Sequence, residues 1–329
     1  MADVVCLGEL LIDFVPTVTG TDLRGVEAFR KAAGGAPANV AVGLARLGIS
    51  AAFLGKVGDD SFGHFLAGTL AEAGVDIASL RYDGGARTAL AFVSLAANGE
   101  RDFLFYRHPS ADILYEPGEV DEAAIARARI LHFGSISLIA EPARSATLHA
   151  VALAKRHGLR VSYDPNLRLP LWPDAAAARE GMLLGLRAAQ IVKIGEEEVE
   201  FLTGLSDPVA GARALWHDDL TLMAVTRGAA GCLWFTRGEQ GHVPGFVVET
   251  VDTTGAGDAF AAGLLAALID QPGMLDGVSL ASACRFANAM GALTATSRGA
   301  IPSIPDRQAV RAFLLEQEES GGRMSDSVS

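Results

Sequence analysis

Along most of the chain, short apolar runs alternate with segments whose apolar residues recur every three or four positions. Val4-Val5-Cys6-Leu7-Gly8 through Leu11-Ile12-Asp13 is mostly apolar until a polar end, as in a central strand covered on both faces. Residues 37–47 set Val40, Leu44 and Leu47 on one helical face and stop at Gly48. A strand is predicted over 51–57 and a helix over 61–72, ended by Gly74. Residues 88–95 and 101–106 form two β-rich runs joined by Ala96-Ala97-Asn98-Gly99-Glu100, where Asn-Gly marks a hairpin turn.

After Asp112 the alternation resumes, with strands predicted at 130–134, 160–164, 191–194, 221–226 and 232–236. Helices are predicted at 142–157 and 175–188, then at 256–269, 279–297 and 306–316. Repeated strand-then-helix order predicts an α/β fold with a doubly wound, mostly parallel sheet. The hairpin and the polar stretch from Pro16 to Lys31 predict a small inserted antiparallel β sheet, a lid. The expected division is a core of 1–13, 33–86 and 111–316, a lid of 14–32 and 87–110, and a polar, disordered tail of 317–329.

Composition narrows the classes. Half of the residues are hydrophobic, yet the longest clean apolar run, 259–269, has only 11 residues, where a spanning helix needs roughly 20. No signal-peptide pattern opens the sequence, so a cytoplasmic protein without membrane contact is expected. The net charge of −12, from 39 acids against 27 bases, argues against a nucleic-acid partner. Three widely spaced cysteines, Cys6, Cys232 and Cys284, read as reduced core residues. An acidic chain still binds a polyanion where backbone N–H groups and a cation face it.

Several motifs are missing. The one Gly-Lys pair, Gly55-Lys56, is followed by Val57, so there is no P-loop. Gly255-Ala256-Gly257 lacks the third small residue of a dinucleotide fingerprint, Phe260 standing there. HExxH, CxxC and Gly-x-Ser-x-Gly do not occur. The informative segment is Val251-Asp252-Thr253-Thr254-Gly255-Ala256-Gly257-Asp258-Ala259-Phe260, immediately before an apolar helix. A helix start offers unpaired N–H groups and partial positive charge, and residues without bulky side chains let a phosphate approach them. A lone Gly-Asp there is ordinarily a dipole contact worth about 0.3–1 kcal/mol. Acids at both ends, paired threonines and Gly-x-Gly together favour a site.

This segment resembles the C-terminal signature of the ribokinase-like (PfkB) carbohydrate kinases. Gly34-Gly35-Ala36-Pro37-Ala38-Asn39-Val40-Ala41 through Gly55-Lys56-Val57-Gly58-Asp59-Asp60 resembles their N-terminal signature. The likeness covers 3–315. Gly8-Glu9-Leu10-Leu11-Ile12-Asp13-Phe14-Val15-Pro16, Tyr106-Arg107-His108-Pro109-Ser110-Ala111 and Asp164-Pro165-Asn166-Leu167-Arg168 resemble the fructokinase branch most.

The resemblance implies ATP-dependent phosphorylation of a sugar's primary hydroxyl, with D-fructose as substrate. A keto sugar acid (2-keto-3-deoxygluconate) and ribose are the alternatives within the family. Asp258 is expected to accept the hydroxyl proton and to stay ionised at neutral pH, with Gly255, Ala256 and Gly257 forming the anion hole. Asp13, at the end of the first strand, is expected to take sugar hydroxyls, beside Gly34, Gly35 and Asn39. Tyr106 and Arg107, hanging from the lid, and Arg168 complete the sugar side. Asn166 and Lys193 are expected to meet the ATP phosphates, while Thr226, Gly228, Gly231 and Asn288 form the nucleotide side. Glu198 resembles the glutamate that organises Mg²⁺ through water, although Gly195 stands where the family motif carries Asn. Asp252 and Thr254 resemble part of a monovalent-cation site, K⁺ being expected. A homodimer through the lid is implied. The competing classes are a non-catalytic sugar- or nucleotide-binding regulator and an NAD-dependent oxidoreductase. The first is opposed by Asp258 with its anion hole, the second by the missing fingerprint.

Overall fold

The computed structural model describes residues 2–18, 20–95, 101–271 and 276–325, with the backbone alone at 94–95, 101–103 and 320–325. In chain order its strands are β1 (Val4–Leu7), β2 (Leu11–Pro16), β3 (Phe29–Gly34), β4 (Ala51–Gly58), β5 (Leu80–Asp83), β6 (Leu90–Leu95) and β7 (Arg101–Tyr106). Then follow β8 (Ile130–Gly134), β9 (Arg160–Asp164), β10 (Ile191–Gly195), β11 (Leu222–Thr226), β12 (Cys232–Phe235) and β13 (Gln240–Val243).

Nine strands make the main sheet in the order β13-β12-β11-β10-β9-β8-β1-β4-β5. The seven from β11 to β5 run parallel, and β12 and β13 return antiparallel at one edge. Each face of the sheet is covered, which is why β1, β4 and β8 are buried throughout. Along β1, Val4 and Cys6 enter one hydrophobic layer while Val5 and Leu7 enter the other, as period-2 alternation requires. The first layer is shared with the helices Ala36–Arg46, Ala256–Asp270 and Gly277–Thr294, the second with Ala143–Arg156 and Ala175–Ala188. All three cysteines are free and buried.

The helix Ala256–Asp270 is apolar all round because it is sandwiched. On one side a Cβ at Gly43 would come within 2.6 Å of Ala262, and on another a Cβ at Gly263 would come within 3.0 Å of Ala287. β1 lies between β4 and β8, so the chain winds outward from it in both directions. In open α/β sheets ligands bind beyond the carboxyl ends of the strands at such a switch point.

Four strands form a second sheet, β3-β2-β6-β7. β2/β3 and β6/β7 are antiparallel, as expected of the insertion, and the two pairs join through a parallel contact of β2 with β6. The sheet takes in Leu11–Asp13 and Ala33–Gly34, which the sequence assigned to the core: β1 stops at Leu7, and Asp13 lies on the small sheet instead of ending the first central strand. The Asn98-Gly99 turn lies outside the described residues. The closing helix spans Arg307–Ser325, so regular structure runs on into the segment read as a disordered tail.

Candidate active site

Two helices begin at the switch point, Ala36–Arg46 and Ala256–Asp270. Elsewhere Asp60, Asp174 and Asp276 cap helix starts with their carboxylates. At the switch point the N-cap residues are Gly35 (φ 112°) and Gly255 (φ 80°), which carry no side-chain cap. Both helices turn a partly positive end toward the same space, although the first N–H of each is engaged, Ala36 with Glu9 Oε1 and Ala256 with Thr253 O.

That space is a cleft of about 500 Å³ lined by Glu9, Leu11, Asp13, Gly35, Asn39, Phe105, Asn166, Arg168, Lys193, Thr254, Gly255, Gly257 and Asp258, among others. Asp258 is 7 % exposed. Its Oδ2 accepts a hydrogen bond from Asn39 Nδ2 at 2.8 Å, and Asn166 Nδ2 approaches Oδ1 at 3.5 Å. Burial pushes the Asp258 carboxyl above its ordinary value, against the pull of the Asn39 hydrogen bond and of the charges on Lys193 and Arg168. The helix start thus does not by itself set its ionisation; desolvation is the larger influence.

A second cavity, about 400 Å³ and largely apolar, lies beside the first. Thr226, Gly228, Gly231, Ala256, Gly257 and Asn288 line it with Phe246, Val247 and Val248. Asn288 Nδ2 donates to the carbonyls of Val243 and Pro244 at 3.2 and 3.1 Å, fixing the segment that leaves β13. Thr253 and Gly257 line both cavities. Above this junction stands Lys193: a Cβ on Gly257 would lie 3.0 Å from its Nζ. The ammonium pairs with Asp164 at 3.0 Å. Burial pushes Asp164 up; in Lys193 burial is outweighed by Asp164, Glu198 and Asp258, which hold the ammonium above its ordinary value. Asn166, after β9, has φ 45°, a left-handed conformation rare outside glycine. Such strain recurs where a side chain must be aimed.

Other expected residues are placed differently. Ala256 N–H donates to Thr253 O at 3.2 Å, so this member of the expected anion hole is already engaged. Gly34 abuts Asp13, a Cβ there falling 2.1 Å from its Oδ2. Tyr106 is 59 % exposed and packs edge-on against Phe92 on the outer face of the small sheet. Its neighbour Phe105 faces the cleft, level with Ala91 and Asp13 across the strands. Arg107 is buried against Asp112, where Nε donates to Oδ2 at 2.7 Å and Nη2 donates to the same oxygen; it does not line the cleft.

Glu198 holds two loops together, accepting from Leu167 N–H at 2.6 Å and Gly195 N–H at 2.8 Å. With Glu196 and Glu197 it borders a third cavity that shares Asn166, Arg168 and Lys193 with the cleft. Among the described residues no group of three His, Cys, Asp or Glu side chains could hold a metal ion. This acidic rim fits a divalent ion carried by phosphates and water, the usual habit of Mg²⁺. Asp252 folds its loop onto the next: Oδ1 accepts from Thr254 N–H and Oγ1 at 2.9 and 2.7 Å, and Oδ2 from Gly299 N–H at 2.9 Å.

Sequence reasoning passed over Glu9 and Phe105. An acid inside an apolar run was the signal for the first, strand alternation for the second. Nothing in the composition of 246–250 marked it as a cavity wall. No helix among the described residues is long and apolar enough to cross a membrane.

Comparison with known proteins agrees with this layout. The family model for pfkB family carbohydrate kinases matches residues 1–307. "Probable fructokinase-6, chloroplastic" of Arabidopsis thaliana is 54% identical over 316 residues, covering 95% of this chain and 82% of the relative. The structure of fructokinase with bound ATP from Xylella fastidiosa superposes with a TM-score of 0.88 at 37% identity, over 97% of this chain and 100% of that one. A fructokinase double mutant from Vibrio cholerae O395, in a fructose-, ADP- and potassium-ion-bound form, has a TM-score of 0.86 at 36% identity, over 95% of this chain and 98% of its own. Two helix starts on one cleft, the signatures that form them and these likenesses agree: the chain belongs to the pfkB family of carbohydrate kinases.

Proposed function

We propose that this protein is an ATP-dependent fructokinase that transfers the γ-phosphoryl group of ATP to the primary hydroxyl of D-fructose, giving fructose 6-phosphate and ADP. The observation that carries the reading is the position of Gly257-Asp258 where the two cavities meet. Sugar enters the polar cleft, where Asp13 and Asn39 take its hydroxyls and Phe105 covers an apolar edge. The nucleotide fills the apolar cavity between Gly228, Gly231 and Asn288, and its phosphates reach the helix start.

Phosphoryl transfer depends mainly on alignment and charge stabilisation. Asp258 accepts the hydroxyl proton as the oxygen–phosphorus bond forms, and Asn39 holds the carboxylate in line. The N–H groups of Gly255 and Gly257 with the Lys193 ammonium stabilise the phosphoryl oxygens, an arrangement in which one donor is worth about 3 kcal/mol. Burial, by lifting Asp258, brings the base closer to neutral pH, where proton acceptance is more effective. Mg²⁺, near the Glu196–Glu198 rim, supplies charge neutralisation when bound. The loop of Asp252 and Thr254, tied to Gly299 by the Asp252 carboxylate, would hold K⁺, whose charge would steady the backbone leading into Gly255.

The small sheet acts as a lid that keeps water from the phosphoryl group. Its outer face exposes Leu104 and Tyr106 beside the stacked Phe14 and Phe92, which supports pairing of two copies through the lid. The test is sugar-dependent ADP release with Mg-ATP and K⁺, comparing fructose, 2-keto-3-deoxygluconate, ribose, glucose and adenosine. Fructose is expected to give a kcat/KM at least about 10-fold above the others. Preference for another sugar would overturn the substrate assignment. Loss of all sugar-dependent turnover with ATP still bound would favour the regulator.

A further inference from the structure

The hinge between main sheet and lid contains a buried acid that the proposed chemistry does not use. Glu9 lies in the three residues between β1 and β2, where the chain leaves the core, and is 2 % exposed. Its Oε1 accepts a hydrogen bond from Ala36 N–H at 2.8 Å. Ala36 opens the helix Ala36–Arg46 where the chain returns from β3, and Gly35 offers that helix no side-chain cap. Glu9 is thus a cap supplied from 27 residues away. The contact is close in the backbone too: Gly35 has φ 112°, and a Cβ there would fall 2.3 Å from the Glu9 carbonyl oxygen.

A third crossing meets the same point. Arg107 and Asp112, on the segment that leaves β7, both act on the Glu9 charge. Burial pushes the Glu9 carboxyl up to about 7, with Arg107 opposing and Asp112 adding to the rise. Among the described residues Oε2 is buried with no hydrogen-bond partner. A leucine would remove the unpaired acceptor but would also strand Ala36 N–H, so what the buried acid supplies here is that cap.

We propose that Glu9 is a positioning residue for phosphoryl transfer, an off-helix cap that fastens the lid hinge to the helix Ala36–Arg46 and so holds Asn39 on Asp258. The path is short. Ala36 and Asn39 belong to the first helical turn, and Asn39 Nδ2 lies 2.8 Å from the Asp258 carboxylate. Displacing a helix start by a fraction of an ångström turns that donor away from the base.

The proposal rests on the kinase reading, and its test separates the two. Glu9→Leu, Glu9→Gln, Asn39→Ala and the double variant Glu9→Leu/Asn39→Ala are compared in fructose-dependent ADP release and in amide hydrogen exchange over residues 36–40. Glu9→Leu is expected to lower kcat at least about 10-fold with the ATP KM held, since small displacements at a reacting centre are costly. Glu9→Gln keeps the acceptor and recovers most of that loss. In the Asn39→Ala background Glu9→Leu costs little more, because the two act through one contact. Exchange over 36–40 is faster in Glu9→Leu and near wild type in Glu9→Gln. Full additivity in the cycle, unchanged exchange, or a Glu9→Gln loss as large as that of Asn39→Ala would overturn it, the last holding even where Glu9→Leu does not fold. Wild-type protein inactive with every sugar would instead sink the kinase reading, leaving the cap to be judged by exchange alone.

Discussion

Asn39→Ala provides a graded test of how the base is tuned. Asp258 is nearly inaccessible, and its carboxyl is lifted by burial while the Asn39 hydrogen bond at 2.8 Å holds it down. A hydrogen bond to a charged group is worth about 1.5–3 kcal/mol. One pKa unit corresponds to about 1.36 kcal/mol, so removing the donor should lift the carboxyl by about one to two further units. The base works ionised, and activity is lost as pH falls through its pKa. The acid limb of the kcat/KM profile should therefore move upward by that amount in Asn39→Ala. Asn39→Asp would set a second carboxylate against the first, and like charges so close cannot both ionise. Its acid limb should move further still. The assay is fructose-dependent ADP release from pH 5 to 9, with ATP binding checked at each end. An acid limb that stays in place, or moves downward, would refute the claim that Asn39 tunes the base.

Three further outcomes are expected. Gly257→Ala places a Cβ 3.0 Å from Lys193 Nζ, so kcat should fall by about 10- to 100-fold with little change in melting temperature; wild-type turnover would show that the phosphates pass elsewhere. Phe105→Ala should raise the sugar KM several-fold, by about 1 kcal/mol of lost apolar contact, whereas Tyr106→Ala should leave it alone and weaken self-association in sedimentation; the reverse pattern would restore Tyr106 to the sugar side. Arg107→Met strands buried Asp112 and should cost about 3–5 kcal/mol in chemical denaturation. A raised sugar KM at unchanged stability would instead mark Arg107 as a direct contact.

The parallel sheet was legible because continuous apolar runs are what doubly covered strands require, and β9 and the helix Ala175–Ala188 fall where the pattern puts them. The same criterion hid the break after Leu7. β1 and the start of β2 are both buried, so nothing in their hydrophobicity reveals that the chain changes sheets at Gly8. β3, reading Phe-Arg-Lys-Ala-Ala-Gly, carries exposed charge at its centre because it is an edge, so the pattern put Phe29–Lys31 in the polar stretch of the lid without marking a strand's bounds. The helix start at Gly255 was visible because its chemistry is local, four small or acidic residues in order. Glu9 was not, since the N–H that it caps lies 27 residues further along the chain. Arg107 looked like a free arm until Asp112, five residues on, was seen to engage it.

Replacing Asp258 by Asn tests the central claim most directly, since it removes the proton acceptor while keeping the size of the side chain. Fructose-dependent ADP formation should fall by about 10²- to 10⁴-fold, the usual contribution of a positioned base, while ATP still binds with wild-type affinity. Turnover within about 10-fold of wild type, at unchanged ATP affinity, would show that the base lies elsewhere and that the meeting point of the two cavities is not where the proton is taken.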